Sequence, residues 1–355
     1  MKPQNKLREI IWEITGRCNN HCTYCGSKQG WDEQIDENLI RRITNKIGEY
    51  LKDGEINISG GDPLLVTSQT HGYIVRLLKD KDNVVKLIMN PKSLAKNVHN
   101  DLFLKQMEDI IELYDIVGIS VNNEEELDAL QFIQLTNSKH VLITNFNIFN
   151  VWDYDKIEAV VKELKLSWQI QYTMEINSKS AIYENESAKK FLFEKIKKSR
   201  KEGIKLILAD NLNCGLCGAG NMSCGILSNG DVVPCLSMRS WVANLQDVVQ
   251  GNITKTSLED IWINGFQDYR FHNFTCCKDI CKAPYEETEE EVTLEIEKFK
   301  DREKEWDKED NKKPKTPQQG TVVLYGVQLT PVYGTQIYPD NQIAMAYAVY
   351  TKPNE

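Results

Sequence analysis

Cys18-Asn19-Asn20-His21-Cys22-Thr23-Tyr24-Cys25 places three thiols in eight residues, spaced C-x3-C-x2-C. The run before it, Glu9-Ile10-Ile11-Trp12-Glu13-Ile14-Thr15, reads as a strand, and Gly16 breaks it. A tight loop of this kind turns three thiolates onto one face of an iron–sulfur cube. Such cubes normally take four cysteine ligands, so a local set of three leaves one iron without a protein ligand. That iron is a place for a small molecule to chelate. Two plainer readings are a zinc loop and three unrelated buried thiols, although zinc usually takes four nitrogen or sulfur ligands in paired CxxC units.

The rest of the 355 residues sets bounds. Apolar residues make up 41% and charged residues 27% of the chain, as in an ordinary globular protein. The net charge is −9 and no dense Lys/Arg stripe occurs, which argues against nucleic acid as the main partner. The first residues hold no apolar signal-peptide core, and no apolar run approaches the ~18 residues of a membrane span. A cytoplasmic protein with no membrane partner is expected. Ten cysteines then read as metal ligands rather than disulfides. Three lie at 18–25 and seven at 214–281, with none between.

From Arg8 to about Asp210, apolar runs alternate with amphipathic helices. Strands are predicted at Ile10–Thr15, Glu55–Ser59, Val84–Met89, Ile116–Val121, His140–Asn145, Trp168–Met174 and Lys205–Leu208. The first helix starts from Asp36 as N-cap, with Leu39, Ile43, Ile47 and Tyr50 on one face. Others cover about Ser68–Lys79, Asn100–Leu113, Glu124–Leu135, Asp153–Lys165 and Ala188–Lys201. This alternation predicts an α/β fold of right-handed βαβ units around a parallel sheet. Functional groups then belong at the C-terminal ends of the strands, where the cysteine loop sits. Ser59-Gly60-Gly61-Asp62-Pro63 ends the second strand. Its glycines allow close backbone approach, and its carboxylate can pair with an ammonium. Ser120, Asn122, Asn145 and Asn147 end later strands, where they either meet a ligand or cap turns. Gln169, Gln171 and Glu175 share one face of the sixth run, either toward a substrate or on a solvated edge. His21, His71, His99 and His140 show no partners in the sequence, and no general base is assigned.

The second thiol group begins Cys214-Gly-Leu-Cys217-Gly-Ala-Gly220. Cys224, Pro234-Cys235, Cys276, Cys277 and Cys281 follow. Zinc competes for these thiols, and a redox dithiol at Cys214/Cys217 is a further alternative. Residues 286–319 are dense in charge, which reads as an exposed helix and linker ending in Lys313-Pro-Lys-Thr-Pro317. Beyond it an octapeptide recurs, Leu324-Tyr-Gly-Val-Gln-Leu-Thr-Pro331 and Val332-Tyr-Gly-Thr-Gln-Ile-Tyr-Pro339. Two copies are too few for a solenoid. The segment reads as an extended arm packed on its own barrel or a second subunit, or as a substrate-like segment.

The C-x3-C-x2-C loop, with Tyr24 before its last Cys, resembles the signature of the radical SAM superfamily. Gly60-Gly61-Asp62-Pro63 resembles that family's GGE-type motif, with Asp62 replacing the commoner Glu. Cys217-Gly-Ala-Gly, Ser228-Asn-Gly-Asp231, Pro234-Cys235, Gly251-Asn-Ile253, Ser257–Trp262 and Tyr269-Arg270 resemble the SPASM or twitch extension. The implied fold is a partial (β/α)6 barrel (1–210), a small Cys-rich SPASM/twitch-like domain (211–285), a charged helix or linker (286–319) and a tail (320–355). Cys18, Cys22 and Cys25 would hold a [4Fe–4S] cluster whose open iron takes S-adenosylmethionine. Gly60, Gly61 and Asp62 would meet its methionine amino group, Tyr24 its adenine, and Ser120 or Asn122 its ribose or carboxylate. Cys217, Cys235 and two of Cys276, Cys277 and Cys281 would hold an auxiliary cluster, with Cys214 and Cys224 as ligands of a second one or spare thiols. The run C-x2-C-x5-C-x3-C of a complete SPASM domain is absent. The resemblance implies reductive cleavage to a 5′-deoxyadenosyl radical and hydrogen abstraction from a peptide or protein, as in maturases of ribosomally made peptides. The electron donor would be a flavodoxin or ferredoxin. A small-molecule radical SAM enzyme (alcohol or sugar dehydrogenation, carbocycle formation) and a non-catalytic iron–sulfur or zinc protein are the alternatives.

Overall fold

The computed structural model describes residues 6–20, 22, 25, 30, 32–97, 99–136, 138–172, 182, 185–209, 218–240, 244–267 and 269, and two short strands at 335–337 and 343–345. Strand β1 (Glu9–Glu13) leads through the cysteine loop to helix α1 (Glu37–Tyr50). Then come β2 (Glu55–Ser59), α2 (Ser68–Lys79), β3 (Val84–Met89), α3 (Lys92–Ala95), α4 (Asp101–Leu113), β4 (Ile116–Ser120) and α5 (Glu124–Asp128). β5 (His140–Phe146), α6 (Tyr154–Leu164), β6 (Ser167–Tyr172), α7 (Glu186–Lys201) and β7 (Leu206–Leu208) complete the alternation. β8 (Ser223–Ile226), β9 (Asp231–Val233), β10 (Gly251–Asn252) and α8 (Leu258–Gly265) follow.

Strands β1 to β7 pair in parallel with their sequence neighbours. Crossovers of one hand between strands in sequential order put every helix on the same side and leave a concave opposite face. The result is a partial (β/α) barrel, in which β7, predicted at Lys205–Leu208, adds a seventh parallel strand to the six that the resemblance implied. β8 pairs in parallel with the free edge of β1, and β9 and β10 extend that edge antiparallel. The first strands of the cysteine-rich region therefore continue the barrel sheet.

Alternation along each strand divides the barrel cleanly. Ile10, Trp12, Ile56, Ile58, Val85 and Leu87 join the apolar layer beneath the helices, as do Leu142, Phe146, Trp168 and Ile170. Helix α1 adds Ile40, Ile43 and Ile47 to that layer and starts where the Asp36 side chain accepts from Leu39 N–H at 2.9 Å. Leu39 and Tyr50, expected on its inner face, are only partly buried. The opposite strand residues line the concave face, and many of these are polar.

Several elements differ from the sequence reading. The helix predicted at 124–135 ends at Asp128, because the chain tightens into a 3₁₀ turn at Ala129–Phe132 that packs on α3. Helix α3 itself was not predicted, since four residues are too few to show a period. β11 (Thr335–Ile337) and β12 (Ile343–Met345) pair antiparallel, and β11 lies in the second octapeptide copy. Residues 286–319 lie outside the described residues. No helix among the described residues is long and apolar enough to cross a membrane.

His71 on α2 is buried between two neighbours. Its Nε2 lies 2.9 Å from Pro63 O and its Nδ1 2.5 Å from Tyr114 Oη. A carbonyl only accepts, so Nε2–H donates to Pro63, and Nδ1 takes the Tyr114 proton. Burial pushes the imidazole down to about 4. The unfolded chain, with an ordinary imidazole, binds the proton first as the pH falls, so this group lowers stability between about pH 6.5 and about 4. The His71 contribution should amount to roughly 3 kcal/mol. Unfolding of wild type and His71→Gln by urea across that range checks it, and the variant should show the flatter pH slope.

Candidate iron–sulfur centre and barrel mouth

The cysteine loop leaves β1 at the C-terminal mouth of the barrel and is held from three sides. Gly61 N–H donates to Thr15 O at 2.6 Å and Asp62 N–H to Arg17 O at 2.8 Å, so the Gly-Gly turn after β2 zips onto the loop. A Cβ on Gly61 would stand 2.3 Å from both Gly16 O and Arg17 O, and one on Gly60 would stand 2.6 Å from Thr15 O. The second support is Glu33, whose Oε1 accepts from Gly16 N–H at 2.8 Å and whose Oε2 accepts from Ser228 Oγ at 2.9 Å. One carboxylate thus ties the loop to the turn between β8 and β9. The third support is Lys96, just past α3. Its ammonium donates to Asn19 O at 3.0 Å and Asn20 Oδ1 at 3.4 Å.

Of the three thiols of the loop, Cys18 is buried and Cys22 and Cys25 are half-buried. Asn20 N–H points at Cys18 Sγ at 3.4 Å, and Cys25 N–H closes a turn on Cys22 O at 3.1 Å. Three thiols with a backbone N–H already aimed at one sulfur fit an iron–sulfur cluster, whose properties depend on such hydrogen bonds. Among the described residues no three His, Cys, Asp or Glu side chains form a group that could hold one metal ion. Ligands of a cube bind different irons and need not converge on one point.

Asp62 is fully enclosed. One oxygen accepts from Leu64 N–H at 3.1 Å, capping a 3₁₀ turn, and the other from Ser93 Oγ on α3. Burial raises its carboxyl above the ordinary range, while Ser93, Leu64 N–H and Lys96 oppose the shift. Asp62 thus braces the fold between β2 and α3.

Beside the loop lies an amide-rich rim. Asn122 N–H donates to Glu126 Oε2 at 2.6 Å, and Asn122 Nδ2 reaches the same oxygen and Ser120 Oγ, each at 3.1 Å. Asn90 Nδ2 donates to the other Glu126 oxygen at 2.6 Å. Asn145 N–H donates to Asn122 Oδ1 at 2.7 Å, and Asn150 Nδ2 donates to Asn122 O and Asn145 O. Burial raises the Glu126 carboxyl, and the bonds from Asn90 and Asn122 pull it back. Ser120, Asn122 and Asn145 therefore come together as predicted strand-end groups. Asn147 caps a turn instead, its Oδ1 accepting from Phe149 and Asn150 N–H.

The concave face below this rim is polar. Near the strand N-termini, Asn57 Nδ2 donates to Glu9 Oε1 and the fully buried Lys86 ammonium to Glu55 Oε2, each at 2.6 Å. Toward the mouth come Glu13, Ser59, Asn145, Gln169 and Gln171, all buried. Gln169 and Gln171 are thus not on a solvated edge. Among the described residues, Asn57 Oδ1, Ser59 Oγ and Gln171 Oε1 are buried without a hydrogen-bond partner. Buried polar atoms are nearly always paired, so the two amide oxygens call for donors, and the Ser59 hydroxyl for a donor or an acceptor, from a bound molecule or water. Sequence reasoning passed over Glu9, Asn57 and Lys86. Their signal was a polar residue at alternate positions of a parallel strand that otherwise reads apolar.

Of the later cysteines, Cys224 and Cys235 lie among the described residues. Cys224 on β8 packs in the apolar layer beside Ile10, and burial, with Glu9 adding, pushes its thiol far up. Cys235 follows β9, is buried, and its Sγ takes Ser237 N–H at 3.4 Å. Tyr24, His21, Glu175, Cys214, Cys217, Cys276, Cys277 and Cys281 lie outside the described residues.

Comparison with known proteins adds a second line. A 4Fe-4S single cluster domain family matches residues 7–142, and the SPASM iron-sulfur cluster-binding domain family matches 217–282. The second match takes in Cys217 and leaves out Cys214. A Methanocaldococcus jannaschii protein provisionally named a glycyl-radical enzyme activating enzyme is 27% identical over 217 residues, 59% of this chain and 82% of its own. The GTP 3′,8-cyclase of Nautilia profundicola is 22% identical over 305 residues, 72% of this chain and 89% of its own. Streptococcus suis SuiB bound to S-adenosylmethionine superposes with a TM-score of 0.54 at 13% identity, covering 75% of this chain and 68% of SuiB. The protein anSMEcpe, with bound AdoMet and the Cp18Cys peptide, gives 0.54 at 15% identity over 74% of this chain and 81% of its own. At such identities the two structures speak for the fold.

Proposed function

We propose that this chain, which belongs to the radical SAM superfamily and carries a SPASM iron–sulfur region, modifies a peptide or protein inside its barrel. Cys18, Cys22 and Cys25 would hold a [4Fe–4S] cluster. With S-adenosylmethionine, that group supplies an electron that splits the sulfonium into methionine and a 5′-deoxyadenosyl radical able to take a hydrogen atom. A small electron-transfer protein such as flavodoxin or ferredoxin would supply the electron. The chain's own residues do the rest. Gly60 and Gly61 seat the loop, Ser120, Asn122 and Asn145 offer polar groups at the mouth, and the barrel wall shields the reacting atoms from water.

The observation that carries the peptide reading is the set of unpartnered acceptors on the concave face. Asn57 Oδ1 and Gln171 Oε1 have no partner among the described residues and can only accept, so a partner would bring N–H or O–H donors. A peptide brings backbone N–H groups, and the similar anSMEcpe and SuiB structures hold the Cp18Cys peptide and the precursor peptide SuiA. The octapeptide repeat at 324–339 is one candidate, tethered to the chain itself.

The test is anaerobic reconstitution with iron and sulfide, reduction, and S-adenosylmethionine, read by 5′-deoxyadenosine release and by peptide mass spectrometry. Release coupled to a mass change in a peptide, whether an added one or 320–340, is expected. Release that couples instead to a polyol or nucleotide would replace the peptide reading with a small-molecule one. No release from cluster-loaded protein would remove the catalytic reading.

The auxiliary centre would use Cys217, Cys235 and thiols from Cys276, Cys277 and Cys281. Cys235→Ala should then lose up to one cluster of iron, whereas Cys224→Ala should keep full iron. Cys224→Ala should cost instead about 1 kcal/mol of stability through lost packing. Iron quantification and a thermal melt on both variants separate the two roles.

A further inference from the structure

We infer that Lys96 is a positioning residue of the cysteine loop and a cation that sets the reduction potential of the cluster held there. The inference rests on the assignment of Cys18, Cys22 and Cys25 to one cluster.

The argument begins with what Lys96 touches. Its ammonium reaches across from the end of α3 to the middle of the loop, donating to Asn19 O at 3.0 Å and Asn20 Oδ1 at 3.4 Å. These two residues lie between Cys18 and Cys22, and Asn20 in turn donates its N–H to Cys18 Sγ at 3.4 Å. Lys96 thus fixes the segment whose backbone dipole points at a ligand sulfur. The base it reaches from is anchored. Ser93 donates to Asp62, Asn97 Nδ2 donates to Ser93 O at 2.8 Å, and Asn90 Oδ1 accepts from Lys92 N–H at 2.8 Å. Lys92 differs in kind, because its ammonium is paired with Glu125 at 2.6 Å. Lys96 has only the neutral oxygens of the loop as hydrogen-bond partners and no ion pair within 4.0 Å among the described residues. Asp62, the carboxyl whose charge it feels, is pushed toward its neutral form by burial.

The consequence is electrostatic. A cube on three thiolates carries net negative charge, and reduction adds one more. A cation against the loop favours the reduced state, so it raises the potential. Lys96 is exposed, so water and salt weaken the effect without removing it.

Lys96→Met and Lys96→Arg test this in the full chain with reconstituted clusters. Lys96→Met keeps the alkyl stem and loses the charge and both donors, and Lys96→Arg keeps them. The readouts are iron and sulfide per chain and the midpoint potential of the S-adenosylmethionine-binding cluster, followed by electron paramagnetic resonance. Lys96→Met is expected to show a more negative midpoint, with a gap from wild type that narrows at high salt. Lys96→Arg should sit close to wild type. Reduced iron in Lys96→Met with an unchanged thermal melt, restored in Lys96→Arg, supports the positioning role. Full iron and an unshifted potential in Lys96→Met overturn the inference, as does an iron loss that Lys96→Arg fails to restore. If wild type itself takes up no cluster on the three cysteines, it is the ligand assignment that fails.

Discussion

Cys18→Ala is expected to release no 5′-deoxyadenosine while remaining folded. The thiol is buried, but it is small, so its loss costs only about 1 kcal/mol of packing. Its chemical cost is larger. Asn20 N–H loses the sulfur it points to, and a cube already one protein ligand short loses another. The iron count should fall by about four per chain, with the auxiliary iron retained. Iron and sulfide analysis on the same sample as the cleavage assay checks both halves. Undiminished 5′-deoxyadenosine from Cys18→Ala would refute the assignment of this loop to the catalytic cluster.

Gly61→Ala should be as damaging through a different cause. The new methyl would stand 2.3 Å from Gly16 O and from Arg17 O, and both are backbone atoms that cannot rotate away. The chain must separate the Gly-Gly turn from the loop, breaking the bonds from Gly61 N–H to Thr15 O and from Asp62 N–H to Arg17 O. A loss of about 3 kcal/mol or more follows from such overpacking, together with poor cluster loading. Gly72→Ala is the control. No atom lies within 4 Å of its added Cβ, and it stands inside helix α2. It should gain roughly 0.5–1 kcal/mol through helix propensity and leave the iron count unchanged. Urea unfolding and iron analysis of both variants give the comparison. A Gly61→Ala protein that unfolds and loads like wild type would remove the zipped turn from the account of the site.

Two parts of one motif, Gly60-Gly61 and Asp62, do different things in the fold. Gly60-Gly61 makes a close backbone approach to the cysteine loop. The Asp62 oxygens hold Leu64 N–H and Ser93. Neither use is visible in the sequence, because Ser93 lies 31 residues away on a helix of four residues. The strand ends fared otherwise. Ser120, Asn122 and Asn145 were picked out by position alone, and they form one network because parallel strands in sequential order must end on one rim.

Local chemistry alone determined a good deal about this protein. The alternation of apolar runs fixed the parallel α/β array, and the spacing C-x3-C-x2-C singled out the loop, since both depend on residues close in the chain. The tertiary structure decided which groups face the concave side and which lack partners there. It also decided that β8 joins β1, and that Lys96 and Glu33 brace the loop. Those facts depend on strand register and on contacts between residues up to 214 positions apart, as in the pairing of Glu9 with Ser223. Periodicity carries no record of such contacts, because it reports which side of an element is buried and not what lies against it.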